Sequence, residues 1–183
     1  MRVIRPAGRL GAAVAAVALV GVLALVRPAA AQPAASQHGA VSQVVNTTTI
    51  RLEYDRPVLR GRSVFGDILD YDAVWTPGAN RATWIDVSAP ITVQGVALPA
   101  GRYGIWTVPH PDAPWDVVFV AEWDTHHSYF PMESEVLRVR ATPERGEHME
   151  VLAFYFPEVG PYTTTLRLHW GEIVVPLLIE VGR

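Results

Sequence analysis

The chain has 183 residues, a formal net charge of −3 and no cysteine, a length suited to one domain. Every basic residue is an arginine; four lie before residue 31 and eleven after it, where all 18 acidic residues also fall. An acidic body with interspersed charges excludes a basic stripe for nucleic acid, and the missing thiols exclude disulfides, thiolate nucleophiles and thiolate metal sites.

Residues 1–31 carry Arg2, Arg5, Arg9 and Arg27 around an uncharged run of Ala, Val, Leu and Gly over 10–26, followed by Ala29, Ala30 and Ala31. A basic start, an apolar middle and a small-residue site are the three parts of a secretory signal peptide. Cleavage is expected after Ala31, which places the protein outside the cytoplasm, in the periplasm or extracellular space. The apolar run also reaches the short limit of a membrane span, so an uncleaved anchor is the alternative, and only then is a membrane a partner.

Residues 32–42 are small and polar and read as a flexible lead-in; residues 43–183 read as a single domain. From Thr48 the hydrophobic period is two. Thr48, Ile50, Leu52 and Tyr54 alternate with polar residues, and 83–87 repeats the pattern before Pro90. Residues 91–93 and 96–98 flank the turn pair Gln94-Gly95, and an aromatic strand over 103–108 ends at Pro109. Strands follow over 116–121, 135–142 and 148–156. The last two, 163–170 and 173–181, read as a hairpin about Gly171-Glu172, with Leu166, Leu168 and Trp170 on one face and Val175, Leu177 and Ile179 on another. Pro176 marks its strand as an edge or a bulge. Nine or ten short strands without a capped helical stretch predict an all-β, antiparallel β-sandwich of jelly-roll-like form behind an N-terminal signal helix.

Residues 56–108 hold the most distinctive phrases: Gly61-Arg62, Val64-Phe65-Gly66, Tyr71-Asp72-Ala73-Val74-Trp75-Thr76-Pro77-Gly78-Ala79-Asn80-Arg81, Leu98-Pro99-Ala100-Gly101-Arg102-Tyr103 and Trp106-Thr107-Val108-Pro109. With Phe154-Tyr155-Phe156-Pro157 and Leu168-His169-Trp170-Gly171 following in order, the chain from about residue 50 to 181 closely resembles the domain-of-unknown-function family number 2911 (DUF2911), a set of exported bacterial proteins. The resemblance implies an all-β fold and carries no activity. It also implies that relatives often have Arg after the motif Trp and Glu after Gly-Ala-Asn, where this chain has Thr76 and Arg81.

Most of these phrases read as architecture: Asn80 tolerates positive φ and bonds nearby backbone. The functional alternative is a concave rim in which Asp72, Trp75, Asn80 and Arg81 meet a small ligand. Histidines offer a second constellation. Asp124, His126, His127, His148 and His169 supply imidazoles and a carboxylate, the donors a divalent first-row metal accepts when thiolates are absent. Their spacing matches no standard metal motif. No nucleophile elbow or phosphate loop occurs. Trp84 and Trp106 read as core, whereas Trp115 and Trp123, beside Pro and acidic residues, sit where a ring stacks on a sugar unless it is packed inside. Two readings result, and catalysis is undecided between them. The first is a non-catalytic exported binding or structural domain of the cell envelope, with a glycan, peptide or envelope component as partner and no cofactor. The second is a metal-binding protein or metal-dependent hydrolase built on the His/Asp cluster.

Overall fold

The computed structural model describes residues 35–183; the expected signal peptide lies outside them. Ten strands follow in chain order: β1 (Gln37–Val45), β2 (Thr48–Arg56), β3 (Trp84–Val87), β4 (Ile91–Val93), β5 (Val96–Leu98), β6 (Gly101–Val108), β7 (Trp115–Val120), β8 (Glu135–Ala141), β9 (Glu144–Tyr155) and β10 (Thr163–Val181). They form two antiparallel sheets, ordered β1-β2-β3-β6-β7-β8 and β5-β4-β10-β9, the all-β sandwich that the period of two predicts.

The alternation decides which face meets the other sheet. Ile50, Leu52 and Tyr54 of β2, Ile85 and Val87 of β3, Tyr103 and Ile105 of β6 and Val117 and Phe119 of β7 are buried in one core with Leu152, Phe154, Leu166 and Leu168 of the second sheet. Tyr54 ties the layers together. Its ring meets Phe154 edge-on at 4.9 Å between centroids, and its hydroxyl accepts the Phe154 N–H at 3.0 Å.

Two sequence expectations are corrected. The lead-in expected over 32–42 is strand from Gln37 onward, because β1 pairs with β2 over its whole length, from Gln37 opposite Arg56 to Val45 opposite Thr48. The hairpin expected about Gly171 is absent: β10 runs through it as one 19-residue strand. Gly171 sits at φ 59°, with register shifts on both sides of it against β9. A one-residue slip flips the inward face of a strand, so the bulge lets Leu166, Leu168 and Trp170 before it and Val175, Leu177 and Ile179 after it enter the same core. Pro176 signals an edge or a bulge, and β10 has the bulge, at Gly171, while lying between β4 and β9. It falls where β10 changes partner, after Val174 opposite Glu144 and before Ile179 opposite Val93, where no ladder bond needs its missing N–H.

Candidate functional site

The outer face of the six-stranded sheet carries polar side chains in register. On β2, Arg51, Glu53 and Asp55 alternate with the buried residues. Pairing sets His38 of β1 opposite Asp55, Trp84 of β3 opposite Glu53, and Asp86 opposite Arg51. One strand further, Gly104 of β6 lies opposite Trp84 and Arg102 opposite Asp86. Directly opposed side chains on one sheet face have Cβ atoms about 5 Å apart, so these residues interact as rows.

The segment after β7, residues 121–134, folds over this face. Ala82 N–H donates to the Thr125 carbonyl at 3.0 Å, His127 N–H to the Asn80 carbonyl at 3.2 Å, and Arg81 pairs with Asp124. The segment seals a small second core in which Phe130 packs with Ala82, Trp106, Val118 and Val120. It also lays Trp123 beside Trp84, with ring centroids 6.0 Å apart at 64°. Arg102 fixes the pair. Its guanidinium stands 4.1 Å from the Trp84 ring centre and 4.7 Å from that of Trp123, and it donates two hydrogen bonds to Asp86 at 3.0 and 2.8 Å. A cation over two electron-rich faces is attracted to both.

On the other side, the anchor of Asn80 and Arg81 is a pair of buried threonines. The Thr76 hydroxyl donates to the Ile105 carbonyl at 2.8 Å and accepts the Thr83 N–H at 3.0 Å, while the Thr83 hydroxyl donates to the Pro77 carbonyl. Asn80 then adopts φ 59° and donates its amide to Asp55 at 3.1 Å.

Between these walls lies an open cavity of about 290 Å³, lined by His38, Glu53, Asp55, Arg81, Trp84 and Trp123 among others. Its carboxylates are largely withdrawn from water, with Glu53 at 23% and Asp55 at 15% side-chain exposure. The His38 ring nitrogens stand 3.5 Å from Glu53 and 3.4 Å from Asp55. Two indoles, two carboxylates, an imidazole and a guanidinium thus line one space. That combination suits a ligand with both apolar faces and hydrogen-bonding edges.

The expected rim is divided by the structure. Arg81 lines this cavity, and Asn80 is tied to it through its bond to Asp55. Asp72, at φ 61°, instead meets Nδ1 of His110 at 2.5 Å, and Trp75 stacks on Trp170 at 5.8 Å while its backbone pairs with Thr107. The five candidate metal ligands are likewise not brought together. Asp124 belongs to Arg81. His126 and His127 face each other at 4.4 Å, and Nδ1 of His126 accepts the Ser128 N–H. His148 meets Glu150 at 3.2 Å. His169 is buried with both ring nitrogens engaged, Nε2 donating to the Glu147 carbonyl and Nδ1 on the Tyr155 hydroxyl. Among the described residues no three His, Asp or Glu side chains are placed to hold a metal ion. Burial, and secondly the neighbouring His126, hold the His127 imidazole below its usual value.

Of the tryptophans, Trp106 and Trp115 are core and Trp123 lines the cavity, but Trp84 is half-buried at the site rather than inside. Sequence reasoning missed His38, Glu53 and Asp55 as site residues. The signal that points to the two carboxylates is the outward set Arg51, Glu53 and Asp55, three charges on one face of a strand.

A family model described as a protein of unknown function (DUF2911) matches residues 36–179. No curated protein and no solved structure matches the chain.

Proposed function

The chain belongs to the DUF2911 family, and with no activity to inherit from it we propose that this is a non-catalytic, exported binding domain of the cell envelope that takes a saccharide in the Trp84–Trp123 cavity. One observation carries the reading: two indoles pinned by Arg102 face the same space as Glu53, Asp55 and Arg81. A sugar ring has a flat C–H face and a rim of hydroxyls. Indole offers apolar area to the first at low entropic cost, and carboxylate and guanidinium groups bond the second. The wall is preorganised, since the segment that carries Trp123 is held by the Arg81–Asp124 pair and by the backbone bonds of Thr125 with Ala82 and of His127 with Asn80; binding therefore orders little.

The exported location rests on the composition of residues 1–31. No helix among the described residues is long and apolar enough to cross a membrane.

The test is calorimetric titration of the purified protein with a panel of neutral, acidic and amino oligosaccharides. At least one is expected to bind, and Trp123→Ala is expected to weaken it by about tenfold or more, roughly 1.4 kcal/mol, with the far-ultraviolet spectrum unchanged. A panel without binding, or a Trp123→Ala variant that binds as the parent does, refutes the proposal.

A further inference from the structure

The charge of the ligand follows from how the cavity's own charges are matched. Each arginine near it is committed: Arg51 to Glu53, Arg81 to Asp124, Arg102 to Asp86. Asp55 is the exception. Among the described residues no arginine reaches it; its partners are the neutral Asn80 amide and one ring nitrogen of His38. Yet it is the less exposed of the two carboxylates, at 15%. A carboxylate largely removed from water and without a permanent counter-charge favours a cationic partner.

The place for that cation is already marked. His38 puts one ring nitrogen within 3.5 Å of Glu53 and the other within 3.4 Å of Asp55. The side chain is 62% exposed and stands on β1, at the edge of its sheet. Among the described residues it makes no other side-chain bond, and it is therefore easily displaced. The carboxylates do not make this argument alone. The adjoining wall, independent of them, is a pair of indoles that already receive one cation, Arg102, on their faces, and the two features enclose one cavity of about 290 Å³.

We propose that the cavity takes an amine-bearing saccharide, whose ammonium group replaces the His38 imidazole between Glu53 and Asp55 while the sugar ring lies along Trp84 and Trp123. The inference rests on the saccharide reading above and narrows it to amino sugars with a free amine. An N-acetyl group removes the positive charge, and a hydroxyl in the same position never carries it. Both are discriminated against by the same unmatched carboxylate.

The experiment is a calorimetric comparison of three disaccharides of similar size on the intact protein at pH 7: the β-1,4 dimer of glucosamine, its N,N′-diacetyl form, and cellobiose. The glucosamine dimer is expected to bind about tenfold or more tightly than the other two, with the preference shrinking as salt is added. Asp55→Asn is expected to erase the preference, bringing the affinity for the glucosamine dimer down to that of the two neutral sugars, and His38→Ala to retain it. Should Asp55→Asn fail to fold, Glu53→Gln gives the second reading, with a reduced preference expected. Equal binding of the three, or a preference that survives Asp55→Asn, overturns the amine inference and leaves the saccharide site standing. Binding of none, across these and the wider panel, overturns both.

Discussion

Gly104→Ala sets two effects of known size against each other. Gly104 lies in the middle of the six-stranded sheet, with Trp84 on one side, Val120 on the other and the Trp123 backbone above it. A Cβ added there would meet Val120 Cγ2 at 2.8 Å, Trp123 Cα at 3.3 Å and Trp106 Nε1 at 3.5 Å. Alanine in place of glycine within a strand gains about 0.5–1 kcal/mol from the smaller entropy lost on folding. Overpacking a filled site costs about 1–3 kcal/mol. Neither Val120 nor Trp106 can give way, since both are fully enclosed. The clash therefore wins, with a net loss of about 1–2 kcal/mol and a fall in melting temperature of roughly 2–8 °C. The neighbour with room to move is the 121–134 segment, so Trp123 should lift from Arg102. Thermal denaturation followed by circular dichroism and by indole fluorescence checks both parts, with Gly182→Ala, which meets no atom within 4 Å, as the control. A variant as stable as the parent, with an unchanged indole spectrum, would refute the claim that the segment rests directly on β6.

Further outcomes follow from the same packing. Because burial and His126 hold His127 below the usual 6.5, its neutral form is favoured in the fold. Stability is therefore full above pH 6.5 and declines as the pH falls below that towards the depressed native value, and His127→Gln should flatten the decline in a pH series of denaturation midpoints. Glu135 and Glu150, held below 4.5 chiefly by hydrogen bonds from Arg138 and from the Arg60 backbone respectively, act only at lower pH and do not obscure that window. Thr76→Val leaves the Thr83 N–H buried without an acceptor, and urea denaturation should show a loss of about 1–3 kcal/mol. Gly171→Ala forces a side chain into the left-handed region and 3.0 Å from Val64 Cγ2; a loss of at least about 1–2 kcal/mol is expected in the denaturation midpoint, and no loss would show that the bulge relaxes freely.

Strands were legible in the sequence wherever one face is buried and the other wet, as in β2, where Ile50, Leu52 and Tyr54 alternate with charges. Legibility failed where one local pattern has two physical solutions. Gly171 between two inward sets of opposite parity fits a turn or a bulge equally well, and the choice depends on β9 and β4 as partners for β10. β1 was illegible for another reason: it is an edge strand whose outward side chains include His38, Ala40 and Ser42, so composition alone resembles a linker. Within the site, Asn80, Arg81 and Trp123 stood out because unusual residues cluster in loops. Glu53 and Asp55 did not, since an outward carboxylate on a strand looks like ordinary surface until Trp84, His38 and the returning segment are laid beside it. The five scattered metal candidates show the converse, since shared residue type says nothing about shared space.

The long last strand also sets the order in which the protein can be made. The six-stranded sheet needs only residues up to Ala141, so its strands can pair while the chain is still emerging amino end first. The short β4–β5 hairpin is different: its sheet neighbour is the tip of β10, where Ile179, Glu180 and Val181 meet Val93, Thr92 and Ile91. Until those residues leave the ribosome, the hairpin has nothing to hold and the core side of the first sheet stays bare. Such a half-built chain exposes apolar surface and strand edges that invite association with other chains. Completion is therefore abrupt, and a protease that trims a few residues from the carboxyl end would release the hairpin some ninety positions upstream.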